Sequence, residues 1–169
     1  MTREGALAVM VGVAVLLIGA LAFAWWRRVR RDSGFAPPVG SPPSGAAVVA
    51  RFAGFYVATT AHDQPLERLA MRGLGFRSRV DVAVTDRGLA LELAGGPALF
   101  LAPELIVSVA QSTVAIDRVV ERDGLVRLDW LAGDTVVDTY LRPQDASAKR
   151  VADAIRPLVP ASIPTGTDA

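Results

Sequence analysis

Cysteine is absent from the 169 residues, which excludes disulfides, thiolate metal ligands, iron–sulfur clusters and a thiol nucleophile. The single histidine, His62, excludes a multi-histidine metal cluster and weakens any serine–histidine–aspartate arrangement. Lysine is reduced to Lys149. The other basic residues are arginines, a skew that fits a GC-rich genome better than any chemistry. No glycine-rich phosphate loop is present, because Gly73-Leu74-Gly75 continues into neither GxGxxG nor a P-loop. There is no internal repeat. The net charge is only +1, but it is unevenly spread. Five basic residues and one acidic residue lie at or before residue 31, which leaves 13 basic and 16 acidic residues beyond it. A net-negative remainder without a basic stripe makes nucleic acid an unsuitable partner.

What is abundant is apolar surface, 51% of the residues, and much of it is concentrated near the start. From Gly5 to Trp26 no side chain is charged. At about 1.5 Å rise per residue such a helix spans ~33 Å, enough for a hydrocarbon core of about 30 Å. Trp25 and Trp26 fall where an interfacial aromatic belt belongs, and Arg27, Arg28, Arg30 and Arg31 follow at once. Only Arg3 and the α-amino group precede the run. Basic flanks are retained on the cytoplasmic side, so the N-terminus is expected outside and the C-terminal bulk inside, on a single-pass cell-membrane protein. The rival is a cleaved secretory leader, since Ala20-Leu21-Ala22 and Ala22-Phe23-Ala24 fit the small-x-small pattern. Against it stand the thin basic start, the length of the apolar run and the four arginines behind it. Gly12 and Gly19 offer a small-residue face, a weak signal for helix pairing.

Residues 1–31 therefore read as an anchor with a basic flank, and residues 32–47, rich in Pro, Gly and Ser, as a semi-extended tether. Residues 48–159 have the size of one small domain, and 160–169 read as a frayed tail. Strands are expected over Phe52–Thr60, Arg79–Thr85, Leu89–Leu93, Ala98–Ala102 and Leu105–Gln111. A hairpin about Gly133-Asp134 follows, with Val126, Leu128 and Trp130 on one face of its first arm. The period then changes. Asp145 is a candidate N-cap for a helix over 146–156, with Ala148, Val151, Ala152 and Ile155 forming an apolar stripe and Pro157 near its end.

Mainly β structure closed by one C-terminal helix is an uncommon order, in which the helix plugs an open end of a bent barrel of about seven antiparallel strands. The segments YVATT (56–60), GLGFRSRVDVAVTDRGLAL (73–91) and GLVRLDWLAGDTVVDTYLRPQDA (124–146) resemble the bacterial pleckstrin-homology-like (PH-like) domains, in particular small single-pass membrane proteins of GC-rich bacteria. The chain departs from the eukaryotic relatives, which carry a tryptophan in the C-terminal helix; Trp130 stands on a strand instead. The resemblance implies a binding or scaffold module and does not name its partner.

Residues 61–79, between the first two expected strands, hold Arg68, Arg72, Arg77 and Arg79. In lipid-reading relatives this loop supplies basic residues to phosphorylated head groups, so the resemblance makes these four arginines candidates for a head-group or partner site. Guanidinium groups suit phosphate because they donate in parallel pairs. Leu74 and Phe76 are candidates to dip into the interface between them. The plainer reading is a solvated face in which Asp63 and Glu67 pair with some of the arginines. His62 next to Asp63 is at most a weak metal-ligand or general-base candidate, and a surface-loop histidine is expected. Asp81, Glu92, Asp129 and Asp138 alternate with apolar neighbours and are expected to face solvent. Trp130, Phe55 and Phe100 are expected to pack in the core rather than line a pocket. No catalytic, cofactor or metal residue is assigned, and no enzyme is expected. The function expected is a membrane-anchored, non-enzymatic module on the cytoplasmic face, binding a protein partner or the anionic membrane surface. The alternative is a structural or accessory subunit of a membrane transport or assembly complex.

Overall fold

The computed structural model describes residues 3–32, 36–69, 71, 73–74, 76–115, 118–119 and 124–160. It divides into two units, residues 1–34 and 35–169. The first is one helix, α1 (Arg3–Asp32). Within it Val9–Arg27 has a mean hydropathy of 2.3 and is long and apolar enough to cross a membrane once. The ring of Trp26 lies 6.1 Å from that of Phe23. Arg27, Arg28, Arg30 and Arg31 continue the same helix.

The second unit is a bent antiparallel sheet. Its strands are β1 (Val48–Ala61), β2 (Gln64–Arg68), β3 (Ser78–Thr85), β4 (Gly88–Leu93), β5 (Ala98–Leu101), β6 (Ile106–Ser112), β9 (Leu125–Ala132) and β10 (Thr135–Pro143). The short β7 (Val114–Ala115) and β8 (Arg118–Val119) pair only with each other. The main order is β5-β4-β3-β1-β10-β9-β6, with β2 added beside β1. Seven strands form this path, the number expected. The sheet is not closed: β5 and β6 are its two edges.

The bend is made by β1. Its first part, Val48–Tyr56, pairs with β3, and its last part, Gly54–Ala61, pairs with β10. A bulge between Tyr56 and Ala58 turns the strand from one half-sheet to the other. Gly54 lies where both pairings overlap, and a Cβ there would sit 2.6 Å from the Arg142 carbonyl oxygen, so the residue has to be glycine for the backbones to close.

One apolar core fills the bend. Tyr56, Leu89, Leu91, Leu99, Leu101, Ile106, Leu128, Trp130 and Leu141 are all at or below 2% exposed. A helix, α2 (Ala148–Ile155), lays Ala148, Val151, Ala152 and Ile155 onto this core, which is the stripe expected from the spacing. Leu69, Met71 and Leu74 are buried in the same core. That corrects the expectation for Leu74, which is 1% exposed and unavailable to an interface.

Three further differences from the sequence reading have clear causes. First, α2 begins at Ala148, capped by Ser147, whose Oγ accepts from the Arg150 amide. Asp145 is not the cap: its Oδ2 accepts from the Ala53 amide, while Gln144 N donates to Ala53 O. The β1–β10 ladder is thus extended past its last paired residues before the chain turns, the Asp145 carboxylate taking the strand amide in place of a strand carbonyl. Second, the stretch read as a loop contains β2, a short edge strand that tolerates Pro65 and has no clean alternation to betray it. Third, part of the tether is bound. Phe100 N donates to Pro38 O, Gly40 N donates to Ala98 O, and Val39 bridges Leu99, so residues 38–40 cover the edge of β5. From residue 161 onward the tail lies outside the described residues, as does Arg72.

Candidate functional site

The β9–β10 hairpin turns through Gly133 and Asp134, with Ala132 opposite Thr135. A two-residue turn leaves no freedom of register, so Asp129 stands directly across from Asp138. Thr60 on β1 is the other neighbour of Asp138, and Ser108 on β6 the other neighbour of Asp129. One row across four strands therefore reads Thr60, Asp138, Asp129, Ser108, on the face of the sheet opposite the core. The adjacent row reads Ala58, Tyr140, Arg127, Ala110.

Two carboxylates face to face repel each other, and burial sharpens the conflict. Asp138 is fully buried and Asp129 nearly so, which overturns the expectation that both face solvent; Asp81 and Glu92, by contrast, are exposed. The countercharge comes from Arg127. Its Nε donates to Asp129 Oδ1 at 2.7 Å, and its Nη2 lies 2.8 Å from Asp63 Oδ1 and 3.2 Å from Asp138 Oδ2. The Ser108 hydroxyl donates to Asp129 Oδ2 at 2.5 Å. His62 Nδ1 lies 2.7 Å from Asp138 Oδ1, and the Asp63 amide donates to Asp138 Oδ2 at 3.0 Å. Asp63, at the tip between β1 and β2, holds a left-handed φ of +56° that aims this amide inward.

The electrostatics follow from these contacts. Burial pushes the Asp129 carboxyl up, against the pull of Ser108 and Arg127. The Arg127 hydrogen bond holds exposed Asp63 below the usual carboxylate range, helped by His62. Burial works against the Arg127 charge, but its bonds to Asp129 and Asp63 outweigh that and raise its pKa. The hydrogen bond to Asp138 raises His62. Burial, with Asp138 close by, raises Tyr140. His62 is therefore no free loop side chain, although its ring remains 41% exposed.

His62, Asp129 and Asp138 each offer a ligand atom within 4.8 Å of the others, which is metal-like spacing. The set fits a metal ion poorly. Arg127 already supplies the positive charge between the carboxylates, and Ser108, the Asp63 amide and the imidazole occupy the remaining carboxylate oxygen sites. The Ser108 hydroxyl is given to Asp129 rather than to the imidazole.

The sequence-named arginines lie elsewhere on the same sheet. Arg77 and Arg79 are brought together around Phe55: Arg79 is its cross-strand neighbour on β3, and the Arg77 guanidinium lies 4.9 Å from its ring centre. Arg142, missed from the sequence, is the other cross-strand neighbour of Phe55, on β10. Arg77, Arg79 and Arg142 are exposed, and Phe76, next to Arg77 in the chain, is 84% exposed. Arg68 does not share their setting. It is half-buried and its Nη2 donates to the Val57 carbonyl. Its charge also lies near the Tyr56 phenol, which burial nonetheless pushes up to about 12. Trp130 is core, as expected, whereas Phe55 and Phe100 are only half-buried and belong to no buried cluster, which corrects the expectation for those two.

A bent antiparallel sheet with a C-terminal helix seated on its core defines a PH-like class of domain. Residues 34–156 match the family of bacterial PH domain-like proteins, and the chain belongs to that family. No curated protein matches the chain.

Proposed function

We propose that the chain is a membrane-tethered, non-catalytic docking module that holds its PH-like domain on the cytoplasmic side and presents the Phe55 rim to an anionic surface of the bilayer. The single observation behind this reading is the grouping of three exposed arginines around Phe55, one of them, Arg77, next in the chain to the exposed aromatic Phe76. An aromatic tip supplies apolar insertion, and each arginine near an anionic leaflet contributes about 1 kcal/mol. Tethering supplies a high local concentration, so weak docking suffices. The non-catalytic part is supported by the two outer-face carboxylates, Asp129 and Asp138, whose oxygens are taken up by Ser108, Arg127, His62 and the Asp63 amide.

The domain's buried core lies wholly within residues 50–159, so residues 36–160 carry a complete core among the described residues. This fragment should co-sediment with phosphatidylglycerol-containing vesicles and not with phosphatidylcholine vesicles. Changing Arg77, Arg79 and Arg142 together to alanine should weaken that binding at least about tenfold at low salt. Equal binding by both forms would remove the rim from the account. Exposed Leu66 and Phe76 favour a second reading, a protein partner, which crosslinking in native membranes would reveal.

The orientation rests on the four arginines that follow the apolar run. Protease added to intact cells should leave the domain whole, and permeabilisation should expose it. Digestion of the domain in intact cells would reverse the topology.

A further inference from the structure

The turn joining β1 to β2 is fastened to the outer face of the sheet by side chains that its own strands do not supply. Asp138 is the anchor. It is fully buried on β10, one oxygen facing His62 Nδ1 and the other accepting from the Asp63 amide. Arg127 on β9 reaches from Asp138 to Asp63 across the same gap. β2 itself is only five residues long, and its pairing with β1 is interrupted at Thr60 and Ala61, so the strand ladder holds it weakly.

We propose that the His62–Asp138 contact is a pH-responsive latch on the β1–β2 turn, closed when the imidazole is protonated and loosened when it is neutral. The groups acting on the imidazole are Asp63 on its own turn, with Oδ2 3.5 Å from Nε2, Asp138 on β10 and Asp129 on β9; Arg127 on β9 and Tyr140 on β10 adjoin Asp138, and Ser108 on β6 reaches the cluster through Asp129. Among the described residues three carboxylates stand against one guanidinium, so a proton on His62 reduces an excess of negative charge and turns a hydrogen bond charged only at its acceptor into an ion pair. The sign follows. The carboxylate raises the folded-state imidazole above its ordinary value of 6.5. The latch therefore contributes fully below about pH 6.5 and is lost as the pH rises through the elevated value. β2 runs into the segment holding Phe76 and Arg77, so the latch also sets the footing of that rim. This last consequence alone rests on the docking function proposed above.

With one histidine in the chain, the imidazole signal is unique in a nuclear magnetic resonance titration. In the full chain in detergent micelles, His62 should titrate above the ordinary histidine value, and Asp138→Asn should bring it down. Amide-exchange protection at Asp63 and Leu69, the latter bonded to Thr59 O, should fall about threefold or more across that titration, while Leu91 in β4 holds its protection. His62→Gln, which alters no core residue, should abolish the pH dependence and leave protection low throughout. It serves equally if Asp138→Asn fails to fold. An unshifted histidine, or protection at Asp63 that is the same at both ends of the titration, overturns the latch. Vesicle binding is measured separately, so loss of the docking function leaves this outcome readable.

Discussion

Trp130→Ala should cost about 3–5 kcal/mol of folding stability, read as a lower midpoint in urea denaturation of the domain. Trp130 is 1% exposed and among the largest side chains of the core, so its removal leaves a cavity that the two half-sheets cannot close around. The loss is not apolar alone. The indole Nε1 donates to Thr139 Oγ1 at 2.8 Å, Thr139 and Thr59 share a 2.8 Å bond, and Thr59 lies 3.0 Å from the Tyr56 hydroxyl. Tyr56 in turn donates to the Leu74 carbonyl at 2.8 Å. This chain of polar groups runs through the core to the segment between β2 and β3. Trp130→Phe retains most of the packing and removes the donor, so a smaller loss of about 1–2 kcal/mol is expected. A loss below about 1 kcal/mol for the alanine variant would show that the core repacks around the gap.

Arg127→Met is the second large effect, at about 3–5 kcal/mol near neutral pH. The side chain is only 26% exposed, and among the described residues it alone supplies permanent positive charge between Asp129 and Asp138. Without it, two buried carboxylates face each other across a strand pair. Burial already pushes the Asp129 carboxyl up, and losing the Arg127 bond removes part of what offsets it, so the variant should regain stability as the pH falls through the carboxylate range. Urea denaturation at pH 7 and pH 5 measures this. Adding Asp138→Asn to Arg127→Met should recover most of the deficit by removing the repulsion. A deficit independent of pH would mean that Arg127 acts through packing alone.

Much of the architecture was readable because it rests on local pattern. The alternation Val80, Val82, Val84 and Leu89, Leu91, Leu93 specifies strands whose apolar faces meet, and the structure pairs them residue by residue. The stripe on α2 was readable for the same reason. The cap was not. Asp145 and Ser147 are both good cap residues, and only the position of the Ala53 amide, 92 residues away in sequence, decides between them. The Asp129–Asp138 pair was legible and missed. A two-residue turn at Gly133-Asp134 places them opposite, and a like-charged pair signals a nearby cation, which Arg127 provides two residues earlier. The part His62 plays had no such signal, because β1 meets β10 through a bulge whose position the residues do not announce.

From the sequence alone came the apolar run with its arginine flank, the seven strands of the main path, the amphipathic helix and the absence of thiol chemistry. These depend on composition and on spacing within a few residues. The burial of Asp138, the placing of Arg142 beside Phe55 and the turning inward of Arg68 came only with tertiary structure. Each depends on which strand lies beside which and on where β1 bends, quantities set by packing the whole sheet around one core.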